Sequence, residues 1–92
     1  MYRALVCCRA GMGSSLLLKI KVDQVINENH YPIQTEHGNL DSIIGFDGDL
    51  LITMDDLTDE LREKVPYALG IRNIVDKPEI KAKLEEYLAT KQ

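Results

Sequence analysis

The sequence predicts an α/β fold, a four-stranded parallel sheet with helices on both faces. Three observations predict it. Short apolar runs of β-prone residues alternate with segments whose apolar residues recur at helical spacing. Glycine, proline or aspartate separates most of these segments. The 92 residues, 45% of them apolar, suffice for a single core, so residues 1–92 are expected to form one domain.

The first half of the chain is predicted to run strand, helix, strand and short helix. Residues 2–8 are apolar and β-prone, and a helical repeat begins at Ser14. The inward residues of this helix are Leu18, Val22, Val25 and Ile26. Residues 31–37 alternate apolar and polar side chains, and Pro32 favours an edge position for that strand. Asn39 can cap the short helix that follows.

The second half is predicted to run strand, helix, strand and helix. Residues 49–54, "DLLITM", are typical of a strand buried on both faces. A helix is expected between 55 and 64, and a strand over 67–72. Asp76 and Glu79 have the spacing of a capping box at the start of the last helix. Its inward residues are expected to be Ile80, Leu84, Tyr87 and Leu88.

The predicted strand order is 2-1-3-4, a Rossmann-like three-layer sandwich, because the second strand is expected at an edge. Ligands of such sheets bind beyond the carboxyl ends of the strands, where the order reverses. Cys8 lies at that end of the first strand. His37, Thr53 and Met54 are expected at the same edge as ordinary loop and strand-end residues, and His30 is expected on the surface at the opposite end.

Composition and charge exclude several classes of function. A net charge of −4 argues against a nucleic-acid partner, because such binding depends on lysine and arginine meeting phosphates. The N-terminal apolar run is too short for a signal peptide, and no run reaches the roughly 18 residues that span a bilayer. A cytoplasmic domain with reduced thiols is therefore expected. The two histidines are isolated and the carboxylates scattered, so no metal or other cofactor is expected.

The glycine loop after the first strand predicts an anion site beside a reactive thiol. Gly11 and Gly13 can adopt positive φ, which lets successive backbone N–H groups point into one concavity. The following helix adds the positive end of its dipole, and the same field favours a thiolate. Cys8, where the strand stops, is the candidate nucleophile, whereas Cys7, inside the strand, is expected to be a small buried hydrophobe.

Other phosphate-binding and thiol motifs match this loop incompletely. A dinucleotide fingerprint requires a third glycine at position 16, which is Leu16, and a Walker loop requires a lysine before Ser14. A small tyrosine phosphatase has an arginine six residues after its cysteine, at the position of Ser14, and usually an Asp-Pro acid that this chain lacks. Thioredoxin-like exchange requires two residues between the cysteines, but Cys7 and Cys8 are adjacent.

Three stretches resemble the B components of the bacterial phosphoenolpyruvate-dependent sugar phosphotransferase system. Cys8 followed by "RAGMGSS" resembles the loop that carries the phosphorylated cysteine. The stretch "LLLKIKVDQVI" resembles the first helix of the ascorbate branch of the ascorbate and galactitol type, and "GIRN" at 70–73 resembles its last strand. The likeness extends over the whole chain in length and element order, and residues 7–26 are its most specific part.

The resemblance implies a phosphoryl relay. Cys8 would accept a phosphoryl group from a phosphohistidine of the A component and pass it to a sugar, L-ascorbate in this branch, held by the membrane C component. The protein would then work at the inner face of the plasma membrane, without a cofactor. The phosphate-binding loop would consist of Arg9, Ala10, Gly11, Met12, Gly13, Ser14 and Ser15.

Individual loop residues have more than one interpretation. Family members often have a small residue where this chain has Arg9, which either adds a charge at the phosphoryl oxygens or points to solvent. Ser14 is expected both to contact the phosphoryl group and to cap the helix, and Ser15 to cap only. Met12, with Leu16 or Leu17, is a candidate docking patch for the A and C components. Two alternatives to the relay stay open, a small cysteine-dependent phosphatase and a non-catalytic anion-binding module.

Overall fold

The computed structural model describes residues 1–7, 12–38, 43 and 45–91, with backbone only at 12–15. In chain order the elements are β1 (Tyr2–Val6), α1 (Met12–Asn29), β2 (Ile33–His37), β3 (Leu50–Met54), α2 (Asp55–Leu61) followed by a 3-10 turn (Arg62–Lys64), β4 (Ala68–Ile71) and α3 (Lys77–Ala89). The four strands form one sheet in the order β2-β1-β3-β4, and each pair is parallel. The predicted α/β class and strand order 2-1-3-4 are confirmed.

Two hydrophobic clusters lie on opposite faces of this sheet. Buried side chains of α1 and α3 pack against one face, where Val6 and Ile52 point. Leu57 of α2 packs against the other face, where Leu5 and Leu51 point. Neighbouring residues of β3 therefore enter different clusters, as the apolar run "DLLITM" predicted for a strand buried on both faces. Three layers result, with the sheet in the middle.

The structure moves the start of the first helix. α1 begins at Met12, two residues before the predicted start at Ser14, so Gly13 is helical and does not have the positive φ that the sequence suggested. The N–H groups of a first turn have no intrahelical acceptor, so residue preference fixes the start of a helix only weakly. β1 also ends earlier than predicted, at Val6 instead of residue 8.

The left-handed conformation does occur at the end of α1. His30 has a φ of 55°, and the N–H of Tyr31 donates to the carbonyl of Ile26 at 3.1 Å. This geometry ends the helix, and histidine tolerates it better than most residues with a side chain. His30 is exposed, as predicted. Most of the predicted short helix after Asn39 lies outside the described residues. Ile43, which is described, is buried.

Half of the predicted capping box is present at the start of α3. The carboxylate of Asp76 accepts a hydrogen bond from the N–H of Glu79 at 3.1 Å. In a full capping box, the carboxylate of Glu79 would also accept a hydrogen bond from the N–H of Asp76, and it does not. It accepts instead from the backbone N–H groups of Arg72 at 3.0 Å and Asn73 at 3.1 Å. The prediction was wrong on this point because the connection from β4 folds back over the helix start and brings those two donors closer.

Tyr87 joins three elements at the amino end of the sheet. Its ring is fully buried and makes edge contacts with Tyr2 of β1, with centroids 5.5 Å apart, and with Tyr67 before β4, at 4.9 Å. Its hydroxyl has no hydrogen-bond partner among the described residues. Burial raises the pKa of Tyr87 from 10.0 to about 12.

We therefore expect the domain to lose stability as the pH rises from about 10 towards 12. Below pH 10 the phenol is neutral in both states, and above pH 10 only the unfolded chain readily ionises it, so the unfolded state is favoured. Urea unfolding at pH 8 to 11.5 measures this loss. Burial raises the pKa of Tyr31 in the same way, so Tyr87→Phe should remove only part of the dependence. An unchanged slope in Tyr87→Phe would contradict the assignment to Tyr87.

Candidate functional site

The carboxyl edge of the sheet has its centre where β1 ends. The N–H of Cys7 donates to the carbonyl of Ile52 at 3.1 Å, and the N–H of Gly38 donates to the carbonyl of Val6 at 3.1 Å. These bonds fix the end of β1 between β2 and β3. The chain that leaves Cys7 therefore starts where the strand order reverses, which is the usual ligand position of such sheets.

The predicted acceptor and three of the seven predicted loop residues follow in the chain but lie outside the described residues. They are Cys8, Arg9, Ala10 and Gly11. The other loop residues, Met12, Gly13, Ser14 and Ser15, form the first turn of α1, and their side chains are likewise not described. Their roles in phosphate binding stay predictions.

Cys7 is confirmed as a structural residue. Its side chain has no exposed surface and packs in the cluster beneath α2, beside Leu5 and Leu51. A thiol with no exposed surface cannot contact a partner protein. Of the two adjacent cysteines, Cys7 is therefore unsuited to group transfer.

The N-terminus of α1 supplies positive electrostatic potential at the same edge. The helix is 18 residues long, and its first turn contains no acidic residue. The amides of that turn have no intrahelical acceptors, and the helix dipole places partial positive charge there. Because no carboxylate of the first turn compensates this charge, the helix start favours an anion next to the end of β1.

Large apolar side chains are exposed on the second and third turns of α1. Leu16 is 49% exposed, Leu17 41% and Ile20 45%. We call these three residues the α1 patch. The sequence predicted Leu16 or Leu17 at such a patch, and Ile20 extends it by one helical turn. Leucine and isoleucine grouped this way next to a candidate site are typical of a protein-docking surface.

A partly buried polar link connects α1 to β2. Lys19 Nζ and the carboxylate of Asp23 are 2.7 Å apart, and Asp23 also accepts a hydrogen bond from the hydroxyl of Thr35. The side chains of Lys19 and Asp23 are only 26% and 35% exposed. The sequence predicted that Lys19 and Asp23 form a solvated ion pair within the helix. The hydrogen bond from Thr35 extends this pair to β2. The link helps to hold α1 in register with the strand edge.

The remaining residues of the edge come from the ends of the other strands. His37 ends β2 and is half-buried. Arg72 follows β4 and is exposed, 3.9 Å from the carboxylate of Asp55 at the start of α2. Met54, the last residue of β3, packs partly against the cluster beneath α1 and α3. The sequence placed His37 and Met54 at this edge, and their positions agree with it.

Thr53 is the residue of this edge that sequence reasoning undervalued. It was expected to be an ordinary strand end, but it is fully buried, and its hydroxyl has no hydrogen-bond partner among the described residues. A buried polar atom without a partner is rare in native proteins. The signal in the sequence was one hydroxyl in the otherwise apolar run "LLITM".

None of the helices among the described residues is long and apolar enough to cross a membrane.

A protein-family comparison matches almost the whole chain. The family model described as "PTS system, Lactose/Cellobiose specific IIB subunit" matches residues 3–86. A curated relative from Mycoplasma pneumoniae, the "Ascorbate-specific PTS system EIIB component", is 31% identical over 87 residues. The match covers 91% of this chain and 92% of the relative.

A solved structure shares the fold. The lactose-specific IIB component domain from Streptococcus pneumoniae aligns with a TM-score of 0.65, covering 99% of this chain and 98% of that one. At 18% sequence identity, this match shows similarity of fold alone. The match extends over all four strands and three helices, so the architecture described above is that of a known IIB domain.

Proposed function

This chain belongs to the lactose/cellobiose-type IIB family of the phosphotransferase system, and we propose on this premise that Cys8 carries the phosphoryl group. Members of the family are phosphotransferase components. The observation that supports Cys8 is its place in the chain, directly after a buried Cys7 at the centre of the carboxyl edge and before a helix whose first turn has no acidic residue. Of the two cysteines, Cys7 is excluded by its burial.

The proposed reaction has two transfers. The thiolate of Cys8 attacks the phosphorus of a phosphohistidine on the A component, so that an S–P bond forms and the N–P bond breaks. A sugar hydroxyl then attacks the phosphorus, the S–P bond breaks, and the hydroxyl proton passes to solvent or a nearby base. Both steps need in-line positioning and compensation of charge on the phosphoryl oxygens. The start of α1 and the loop from Arg9 to Ser15 are proposed to supply that compensation.

The proposed partners are the phosphorylated A component and the membrane C component, which holds the sugar. We propose L-ascorbate as that sugar, because the M. pneumoniae relative is named ascorbate-specific and the stretch "LLLKIKVDQVI" resembles the ascorbate branch. Docking to the C component would bring the domain to the inner face of the membrane. The comparisons favour this relay over the phosphatase that the sequence left open.

Labelling of the intact protein tests the proposal. The wild-type chain is incubated with an A component that carries ³²P-phosphohistidine. We expect about one phosphoryl group per chain, mapped by mass spectrometry to the peptide containing Cys8. Steady release of phosphate from an aryl phosphate without a donor protein would support the phosphatase instead. Label on any other residue would contradict the assignment of Cys8.

The α1 patch gives a separate test of partner docking. We expect Leu16→Asp to slow transfer from the A component about tenfold, because a charge in an apolar interface is costly to desolvate. Stability should change little, since Leu16 is 49% exposed. Stopped-flow transfer kinetics measure the rate. Val75→Asp, an equivalent change at a residue 62% exposed outside α1, is the control. Equal rates in both variants would exclude the α1 patch as a docking surface.

A further inference from the structure

The sheet has an open edge at β4. Among the described residues, β3 is the one strand that pairs with β4. The N–H of Leu51 donates to the carbonyl of Tyr67 at 2.8 Å, so the backbone groups of Tyr67 and, two residues later, Leu69 face β3. The N–H and carbonyl groups of Ala68 and Gly70 therefore point outward, away from the sheet.

A groove of about 490 Å³ runs along this open edge. Its floor is β4, and its walls are α2 on one face of the sheet and α3 on the other. We call it the β4 groove. The α2 wall includes Asp55 and Arg62, and the α3 wall includes Lys83 and Glu86. Each wall therefore carries charges of both signs.

The charges of the α2 wall lie at opposite ends of the groove. α2 starts where β3 ends, and the carboxylate of Asp55 lies 3.9 Å from Arg72, just after β4. The helix then runs back towards the start of β4, so Arg62 lies near the amino end. Arg62 is 3.3 Å from Asp59. Ion pairs between exposed side chains of this kind contribute little, so these charges can exchange partners at low cost.

The charges of the α3 wall have the reverse order. α3 starts near the carboxyl end, where Glu79 accepts from the N–H of Arg72 at 3.0 Å. It reaches the amino end at Tyr87, whose ring contacts that of the residue before β4. Lys83 therefore precedes Glu86 on the way from the carboxyl end to the amino end. The basic residue of this wall is the one farther from the amino end.

An antiparallel strand from a second copy of the chain would satisfy the outward backbone groups. A two-fold axis normal to the sheet at Leu69 sets Ala68 of each copy opposite Gly70 of the other. Both opposed pairs can then exchange hydrogen bonds between their N–H and carbonyl groups. The next outward residue, Arg72, already donates its N–H to Glu79, which limits the strand contact to this centre.

The same rotation brings opposite charges together on both walls. It lays the carboxyl end of one groove against the amino end of the other. Asp55 of each copy then faces Arg62 of the other copy, and Lys83 faces Glu86. Charges that only protected an open edge from association would instead repel a second copy.

We propose that the β4 groove is the contact surface of a weak homodimer, in which the two sheets join at β4. Reciprocal pairs of opposite charge favour the association of two copies and specify their orientation. This inference goes beyond the proposed function. None of the residues that line the groove belongs to β1 or α1, so the end of β1 and the α1 patch lie outside the dimer contact.

Analytical ultracentrifugation of the full chain tests the proposal. Concentrations from about 10 µM to about 1 mM should show a reversible equilibrium between monomer and dimer. We expect Lys83→Glu to weaken dimerisation at least about tenfold, because it sets two carboxylates against each other at both symmetric positions. The double variant that combines Lys83→Glu with Glu86→Lys exchanges the charges, so it should restore dimerisation to within about threefold of wild type.

Lys81→Glu is the matched control, because Lys81 is exposed on the same helix but does not line the groove. It should leave dimerisation within about threefold of wild type. Amide hydrogen exchange, followed by NMR, should slow at Ala68 and Gly70 as the concentration rises. A monomer at every concentration would overturn the inference. So would a dimer that is equally tight in Lys83→Glu and Lys81→Glu, or a double variant that fails to restore it.

Discussion

Cys8→Ser is expected to take no label from the phosphohistidine donor, a loss of at least about 1,000-fold in transfer rate. A serine hydroxyl stays protonated at neutral pH, so the dipole at the start of α1 cannot convert it to an anionic nucleophile as it can a thiol. Incorporation of ³²P over the first second of reaction measures the effect. Circular dichroism should show the same fold in both proteins.

Cys7→Ser is the matched variant, because it makes the same change one residue earlier. We expect it to retain transfer to within about threefold, since the side chain of Cys7 is buried in the cluster beneath α2 and cannot touch a donor. Some stability should be lost, because the change puts a hydroxyl among apolar neighbours. If Cys7→Ser abolished labelling in a folded domain while Cys8→Ser did not, the acceptor would be Cys7 and the proposal would be wrong.

The largest expected effect on stability is that of Tyr87→Ala. Truncation should lower the free energy of unfolding by about 3–5 kcal/mol, because it leaves a cavity at a fully buried ring and removes two aromatic contacts. A domain of this size is stable by only about 5–14 kcal/mol. Urea unfolding followed by circular dichroism measures the change. Tyr2 and Tyr67 would both lose the ring they pack against, so the starts of β1 and β4 should be destabilised together.

Tyr87→Phe separates the ring from its hydroxyl. The phenylalanine keeps both edge contacts, and the lost hydroxyl has no partner among the described residues, so stability at pH 7 should be equal or higher by up to about 1 kcal/mol. A loss as large as that of Tyr87→Ala would show that the hydroxyl, not the ring, stabilises this end of the sheet. Comparable losses in both variants would therefore contradict the packing argument.

Local chemistry in the sequence was sufficient to predict the fold class and the place of the site. The apolar run "DLLITM" identified a strand buried on both faces, and Pro32 just before β2 identified an edge. Those two signals favour the order 2-1-3-4 without excluding every other order, and the observed order places the end of β1 at the reversal point. The burial of Cys7 followed from its position in the apolar run at residues 4–8, although β1 itself ends at Val6. Each of these features depends on residues close together in the chain.

The sequence by itself thus determined the α/β architecture, the edge at which chemistry is proposed and the family to which the chain belongs. Only the tertiary structure decided which polar atoms have partners. Thr53 is buried, and its hydroxyl has no partner among the described residues. Asp23 of α1 accepts from Thr35 of β2, and Glu79 of α3 accepts from the two residues after β4. Each of these facts depends on how separate elements pack together. The physical reason is that residue spacing fixes which face a side chain occupies, whereas packing fixes what that side chain meets.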